Sequence, residues 1–399
     1  MKYVVVLIDG AADTPVPELG GKTPLEIAKK PHIDALAGKG EMGMATTVPG
    51  NLPPGSDVAN LSVFGYDPQK YYTGRSPLEA ASIGVPLDLT DTTFRANLVT
   101  LSEEEPYEAK TMVDYSSDEI STQEAHQLIQ AVNDALKTEA YEFFGGISYR
   151  HLLVWHYKEN AFSLTPPHDI SDRVVGEYLP KDETLLTLMK RSYEILKDHP
   201  VNLARIEKGL HPANSLWIWG NGTKPDLDTY QARFGIHGAV ISAVDLIKGI
   251  GRCAKLDVIE VPGATGTVHT NFDGKLDAAI EAFKNGADFV YLHMEGADEA
   301  GHRREIDNKV KTIELIDSKI VAPLLAYFKE TGEDYHMLIM PDHPTPLAIR
   351  THTSDPIPYI LYKSEAEENH ENRPYTEAVA EATGIVQPHA HLLMEQLLR

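Results

Sequence analysis

Three apolar runs in this chain share one design: each is continuous rather than alternating, and each stops at acids or imidazoles. Tyr3–Ile8 (YVVVLI) runs into Asp9. Phe289–His293 (FVYLH) runs into Glu295 and Asp298, and Met337–Met340 (MLIM) runs into Asp342 and His343. Unbroken β-branched and aliphatic runs suit strands covered on both faces, as in a parallel sheet. Further strands are expected at Leu216–Trp219, Ala239–Ile241, Val258–Val261 and Tyr359–Tyr362. Between them, Ile306, Val310, Ile313, Ile320 and Leu324 recur with the period of a helix, with polar residues opposite. Strands alternating with helices predict an α/β, doubly wound, mostly parallel sheet flanked by helices. In such sheets ligands bind beyond the carboxyl ends of the strands, which is where the acids and imidazoles fall. Asp9 can join Asp342 only if both ends of the chain enter one sheet.

The middle of the chain changes character. From about Asp91 it offers a Thr-rich strand at Thr92–Thr100, a helix near Thr122–Ala135 and a strand-like His151–His156. A Pro-rich link at Thr165–His168 and a helix near Glu183–Leu196 follow, and the sheet pattern resumes at Leu216. Residues 91–212 therefore read as an inserted α+β domain, with 1–90 and 213–399 forming a discontinuous core.

Charge narrows the function. The chain of 399 residues has 36 Lys+Arg against 59 Asp+Glu, a formal net charge of −23. A nucleic-acid or anionic-membrane partner is not expected, because phosphate backbones bind basic faces. One cysteine, Cys253, excludes an internal disulfide and a Cys-rich zinc site, so any metal would be held by oxygen and imidazole. The Tyr3–Ile8 run is too short for a signal-peptide core, and no apolar stretch reaches membrane-span length. A cytoplasmic location is expected.

The polar strand ends carry the candidate chemistry. Asp298 and His302 are spaced to share one helix face and grip one cation, although alone they equally fit an ordinary surface acid–imidazole pair. Asp342-His343 alone fits a capped turn, and His352 alone says nothing. With Asp9 they make three acids and three imidazoles at expected strand ends, and burying such groups without partners is costly. In the stretch PGSDVANLSVFGYDP at 54–68, Gly55 permits a tight turn and a helix is expected to start at Ser56. A helix N-terminus favours an anion, so Ser56 is placed where a phosphate could be held; capping the helix is its other ordinary role.

These residues together resemble the alkaline phosphatase superfamily: Asp9, Ser56 in GSDVANLS, DEAGH at 298–302, PDH at 341–343 and RTHTSDPIP at 350–358. Within it, the chain is similar to the cofactor-independent phosphoglycerate mutases, and more closely to their shorter archaeal-type branch. YYTGRSPLEAASIGV at 71–85, YRHLLV at 149–154, AVISAVDLIKGIGR at 239–252 and PGATGTVHTNFDGK at 262–275 extend the resemblance over nearly the whole chain. It implies two divalent ions: Asp298, His302 and His352 holding one, and Asp9, Ser56, Asp342 and His343 the other. Mn²⁺ is placed first, with Mg²⁺, Co²⁺ or Zn²⁺ compatible with the same ligands. The implied reaction interconverts 3- and 2-phosphoglycerate, a small phosphorylated substrate, through phosphoserine at Ser56, with the inserted domain as a lid that excludes water. Arg150, His151, His168 and Lys275 are the implied substrate-binding groups, with Arg75 a further candidate. The stretch 114–120 (DYSSDEI) is acidic where the branch tends to be arginine-rich. A homoserine kinase-like phosphotransferase, or a metal-dependent phosphatase, is therefore carried as the alternative. No GxxxxGK[ST] loop is present to hold ATP in the P-loop manner.

Overall fold

The computed structural model describes residues 1–159, 161–371 and 373–399. These group into two compact units, residues 1–72 with 227–399, and residues 73–226.

The first unit is built on eight strands: β1 (Lys2–Ile8), β2 (Glu41–Ala45), β8 (Gly238–Ile241), β9 (Asp257–Ile259), β10 (Phe289–Met294), β11 (Tyr335–Met340), β12 (Ile357–Lys363) and β13 (Val386–Gln387), numbered in chain order with the second unit's β3–β7 given below. Their order is β13-β2-β12-β11-β1-β10-β8-β9. The centre, from β11 to β9, is parallel, and β12 runs antiparallel to both β11 and β2. The α/β, mostly parallel sheet expected from the apolar runs is present. β1, β10 and β11 are buried along almost their whole length because helices cover both faces. β1 lies between β11 and β10, so the residues that follow these three strands meet at one edge of the sheet.

The helix expected over 306–324 begins differently. Asp298 and His302 sit on a separate helix, Gly296–Arg303, which ends where Arg304 adopts a left-handed conformation (φ 56°). The helix Ile306–Ile316 then starts in a new direction and passes through a π turn at Asp317–Val321 into the helix Ala322–Thr331. That turn places the buried Asp317 carboxylate on the backbone N–H groups of His32 and Ile33, where it caps the helix Pro31–Ala37.

The second unit contains β3 (Thr92–Leu101), β4 (Met112–Asp114), β5 (Tyr141–Ile147), β6 (Arg150–Trp155) and β7 (Ser215–Thr223). The long β3 pairs antiparallel with β6 on one side and with β7 on the other. This removes Leu216–Trp219 from the main sheet, where the sequence pattern had placed it, and the second unit spans 73–226 where 91–212 was expected. The reason is local. An inserted strand flanked by two partners needs a third segment, and Leu216, Trp217 and Ile218 bury against Phe94, Leu98 and the helices of this unit. Among the described residues, no helix is long and apolar enough to cross a membrane.

Candidate active site

Asp9 follows β1, and its backbone N–H still donates to Met294 in the ladder with β10 at 3.0 Å. Gly10 comes next in the left-handed region (φ 65°), and a Cβ there would lie 2.6 Å from the Asp298 Cα. Only glycine lets the start of the helix Gly296–Arg303 approach this closely. The Gly10 N–H donates to Asp342 Oδ1 at 3.1 Å, and the His343 N–H to the same oxygen at 2.8 Å. The ends of β1 and β11 are thus tied together through one carboxylate.

Around that tie the expected ligands converge. Asp9, Asp342 and His343 each offer an atom within 4.8 Å of the others, and so do Asp298, His343 and His352. His343 belongs to both groups. His302 Nε2 lies 2.9 Å from His352 Nε2 and 3.3 Å from Asp298 Oδ2, which brings the third imidazole into the cluster. Asp9, Asp298 and Asp342 are 2%, 6% and 0% exposed, so water does not screen the three carboxylates from one another.

Protonation follows from this crowding. Burial, together with Asp342 and Asp298, holds the Asp9 carboxyl well above the usual carboxylate range. Burial would also raise Asp298, but hydrogen bonds from His302 and His352 outweigh it and hold that group low. The same contact lifts His302 to about 9. Protons therefore balance the cluster, and protons are what a dication displaces. Once Nε2 of His302 is deprotonated, its Nδ1–H remains on the Arg350 carbonyl at 3.0 Å, and a lone pair faces the site. Asp9 Oδ1 is buried with no hydrogen-bond partner, an acceptor waiting for a positive charge. Carboxylate and imidazole donors, an orphaned acceptor and mutual repulsion together fit a divalent metal ion.

Ser56 opens the helix Ser56–Val63 one residue after the N-cap, Gly55, and no side chain caps this helix. Its hydroxyl is therefore not committed to capping, and Oγ instead lies 3.0 Å from His343 Nε2.

With this geometry, the similarity to known proteins is informative. A family model described as 2,3-bisphosphoglycerate-independent phosphoglycerate mutase matches residues 37–202. A probable 2,3-bisphosphoglycerate-independent phosphoglycerate mutase of Geobacter sulfurreducens is 49% identical over 401 residues, covering 100% of both chains. The chain belongs to this mutase family. A solved structure of a Pyrococcus horikoshii protein, 28% identical, aligns over 100% of this chain and 96% of its own with a TM-score of 0.81. The solved cofactor-independent phosphoglycerate mutase of Thermoplasma acidophilum shares the fold at 24% identity and a TM-score of 0.68, over 100% and 99% of the two chains.

The remaining expected site residues of this mutase-family chain are placed as follows. Lys275 is fully buried beneath the end of β10, where Nζ donates to the His293 carbonyl at 3.0 Å, and burial lowers it to about 8. In the second unit, His151 is buried, its Nδ1 accepts the Gly146 N–H at 3.0 Å, and burial pushes it down to about 3. His168 is half exposed with its ring 5.4 Å from that of Trp219. Arg75 contacts Glu79 at 3.0 Å, and Arg95 contacts the other oxygen of Glu79 at 3.1 Å while lying over Trp219. Burial would raise Glu79, but the charges of Arg95, Arg75 and Arg150 hold it below the usual range. Three guanidinium groups around one carboxylate leave this patch cationic. Arg95 and Glu79 were missed in the sequence because nothing in the pattern links an interior strand residue to a helix elsewhere.

A buried ion pair supports the loops that carry the acid–imidazole cluster. Lys309 Nζ contacts Asp13 Oδ2 at 2.7 Å, with both side chains 0% exposed, and also donates to the Thr345 carbonyl at 2.8 Å. It thereby fastens the loop after Asp9 to the loop after His343. Lys309→Met leaves the Asp13 carboxylate buried without its cation, and stability should fall by about 3–5 kcal/mol. Urea unfolding of the variant checks this; a loss under about 1 kcal/mol would show that the pair does not hold the loops.

Proposed function

We propose that this protein interconverts 3-phosphoglycerate and 2-phosphoglycerate without a bisphosphoglycerate cofactor, using Ser56 as a transient phosphate carrier. The observation that carries this reading is the uncommitted Ser56 hydroxyl, set at a helix N-terminus and 3.0 Å from His343 inside the acid–imidazole cluster. Asp298, His302 and His352 would hold one divalent ion; Asp9, Ser56, Asp342 and His343 would hold a second, with Mn²⁺ the first choice. When bound, such ions stabilise charge on the transferring phosphoryl oxygens and acidify a serine hydroxyl.

The chain's own groups then act in order. Ser56 Oγ forms a bond to phosphorus as the bond from phosphorus to the C3 oxygen breaks, and the serine proton ends on that leaving oxygen. Phosphoserine at position 56 sits at the positive end of the helix Ser56–Val63. Glycerate reorients and its C2 oxygen takes the phosphoryl group, while the C2 hydroxyl proton returns to Ser56. The sum is an isomerisation with no net loss of phosphate.

Glycerate must be held while it turns. Arg75, Arg150 and His168, which are at least partly exposed, are assigned to the substrate; buried His151 and Lys275 act through the backbone they hold. The cationic patch around Glu79 suits a carboxylate. Two of the three acids in 114–120 are engaged locally, so the charge of this stretch is partly spent within the second unit: Asp114 accepts from the Ser116 and Asp118 N–H groups, and Asp118 accepts from the His211 N–H. It therefore gives no support to a different substrate. The reaction is assigned to the cytoplasm, which suits a chain with a single cysteine and so no internal disulfide.

The test is a two-arm assay on Mn²⁺-loaded protein: 3-phosphoglycerate alone, against ATP plus homoserine. Formation of 2-phosphoglycerate in the first arm is expected; phosphohomoserine in the second with none in the first would overturn the reading. Arg150→Ala should lower mutase flux about 10- to 100-fold while raising the share of phosphoryl groups released as inorganic phosphate, since Ser56 is untouched. Parallel assay of 2-phosphoglycerate and phosphate reads the ratio. An unchanged ratio would confine Arg150 to binding.

A further inference from the structure

Behind the nucleophile, the helix Ser56–Val63 carries a fully buried amide, Asn60, one turn after Ser56. Its Nδ2 donates to the Ser56 backbone carbonyl at 2.9 Å and to Asp342 Oδ2 at 2.8 Å. Both of those oxygens only accept, so the NH₂ end of the amide must face them. Oδ1 is turned the other way and accepts from the Tyr291 hydroxyl at 2.6 Å. Tyr291 comes from β10 and is buried, with its ring stacked on Phe64 at 3.9 Å between centroids. Phe64 in turn ends the helix, and its carbonyl accepts from the Tyr230 hydroxyl at 2.8 Å. The chain of contacts runs from the sheet interior to both the nucleophile's backbone and a candidate metal carboxylate.

We propose that Tyr291 and Asn60 form a positioning pair that sets the orientation of the Asp342 carboxylate, and with it the affinity of the site for a divalent cation. Neither side chain touches the transferring group. Without the Tyr291 hydroxyl, Oδ1 of Asn60 loses its donor in a buried setting, and the amide is no longer held with Nδ2 on Asp342. Asp342 keeps its bonds from Gly10 and His343 on Oδ1, so the loss falls on Oδ2 alone. The inference rests on the reading of Asp342 as a metal ligand.

The experiment is titration of the full chain with Mn²⁺ alone, free Mn²⁺ being counted by electron paramagnetic resonance. The proteins are wild type, Asn60→Ala, Tyr291→Phe and the double variant. Removing an outer partner of a metal ligand costs about 10–100-fold in affinity. Asn60→Ala is expected to weaken Mn²⁺ binding by about 10-fold or more, and Tyr291→Phe by several-fold. In the Asn60→Ala background, Tyr291→Phe should weaken it no further, because its effect passes through the amide. A merely structural tyrosine would lower the melting temperature in both backgrounds without moving the Mn²⁺ affinity. Wild-type affinity in either single variant, or an equal effect of Tyr291→Phe in both backgrounds, overturns the pair. Should Asn60→Ala fail to fold, Tyr291→Phe removes a single oxygen and decides alone, unchanged affinity being the adverse result. A wild type that binds no Mn²⁺ would remove Asp342 as a ligand and the inference with it.

Discussion

Ser56→Ala is expected to abolish interconversion of the phosphoglycerates, a loss on the order of 10⁴- to 10⁶-fold, while leaving the chain folded. The two halves of that expectation have separate grounds. Activity is lost because the hydroxyl that would carry the phosphoryl group is gone, and the backbone there offers no substitute nucleophile. Stability is kept because the Ser56 side chain does not cap its helix, and its one described contact is with His343. Alanine is a better helix former than serine, so the change should fall within about 0.5 kcal/mol of wild type. Brief exposure of the wild type to phosphate-labelled 3-phosphoglycerate, followed by acid quench and peptide mapping, should place label on the peptide containing Ser56. Label on a histidine, or retained turnover in the variant, would point to a different carrier.

The site was legible in the sequence wherever burial and charge conflict. Asp9, Asp298, Asp342 and His343 stand out because apolar runs with no use for polar ends stop at them, and the parallel order β11-β1-β10 makes those ends neighbours. His302 was legible through its helical spacing from Asp298, although the helix that carries them proved separate from Ile306–Ile316. That break was hidden because Arg304, not glycine or asparagine, takes the left-handed conformation. Asn60 and Thr345 were not legible. A neutral amide or hydroxyl has many ordinary roles, and only the fold shows Asn60 on Asp342 and the Thr345 hydroxyl on Asp298. The placement of Leu216–Trp219 in the wrong sheet has a similar cause: an apolar run reports burial on two faces, not the partner strand. β2 and β13, which extend the main sheet beyond β12, were missed because β2 (EMGMA) has no β-branched or aromatic residue and β13 is only two residues long.

Asp342→Asn should remove catalysis and at least one bound divalent ion without unfolding the chain. Asparagine is chosen over alanine for a structural reason. Asp342 Oδ1 accepts the backbone N–H groups of Gly10 and His343, and alanine would leave both donors buried without a partner, at about 1–3 kcal/mol each. An amide oxygen can still accept both, so the loops after β1 and β11 stay joined. What the amide cannot supply is charge on the other atom, where an NH₂ would now meet the Asn60 Nδ2 donor. The carboxylate charge is lost while the scaffold remains. In the metal-free protein the two facing donors should cost about 1–3 kcal/mol, offset in part because Asp342 is among the charges that push Asp9 above its ordinary range. In Mn²⁺ at 100 times the dissociation constant, the wild type should gain about 2.7 kcal/mol per site, and the variant should miss that gain at the altered site. Thermal unfolding with and without Mn²⁺, beside metal analysis after dialysis, separates the two contributions. A variant that retains full metal content, the full Mn²⁺-dependent rise in melting temperature and normal turnover would mean that Asp342 only ties loops together, and the cluster would have to hold its cation through Asp9, Asp298 and the imidazoles alone.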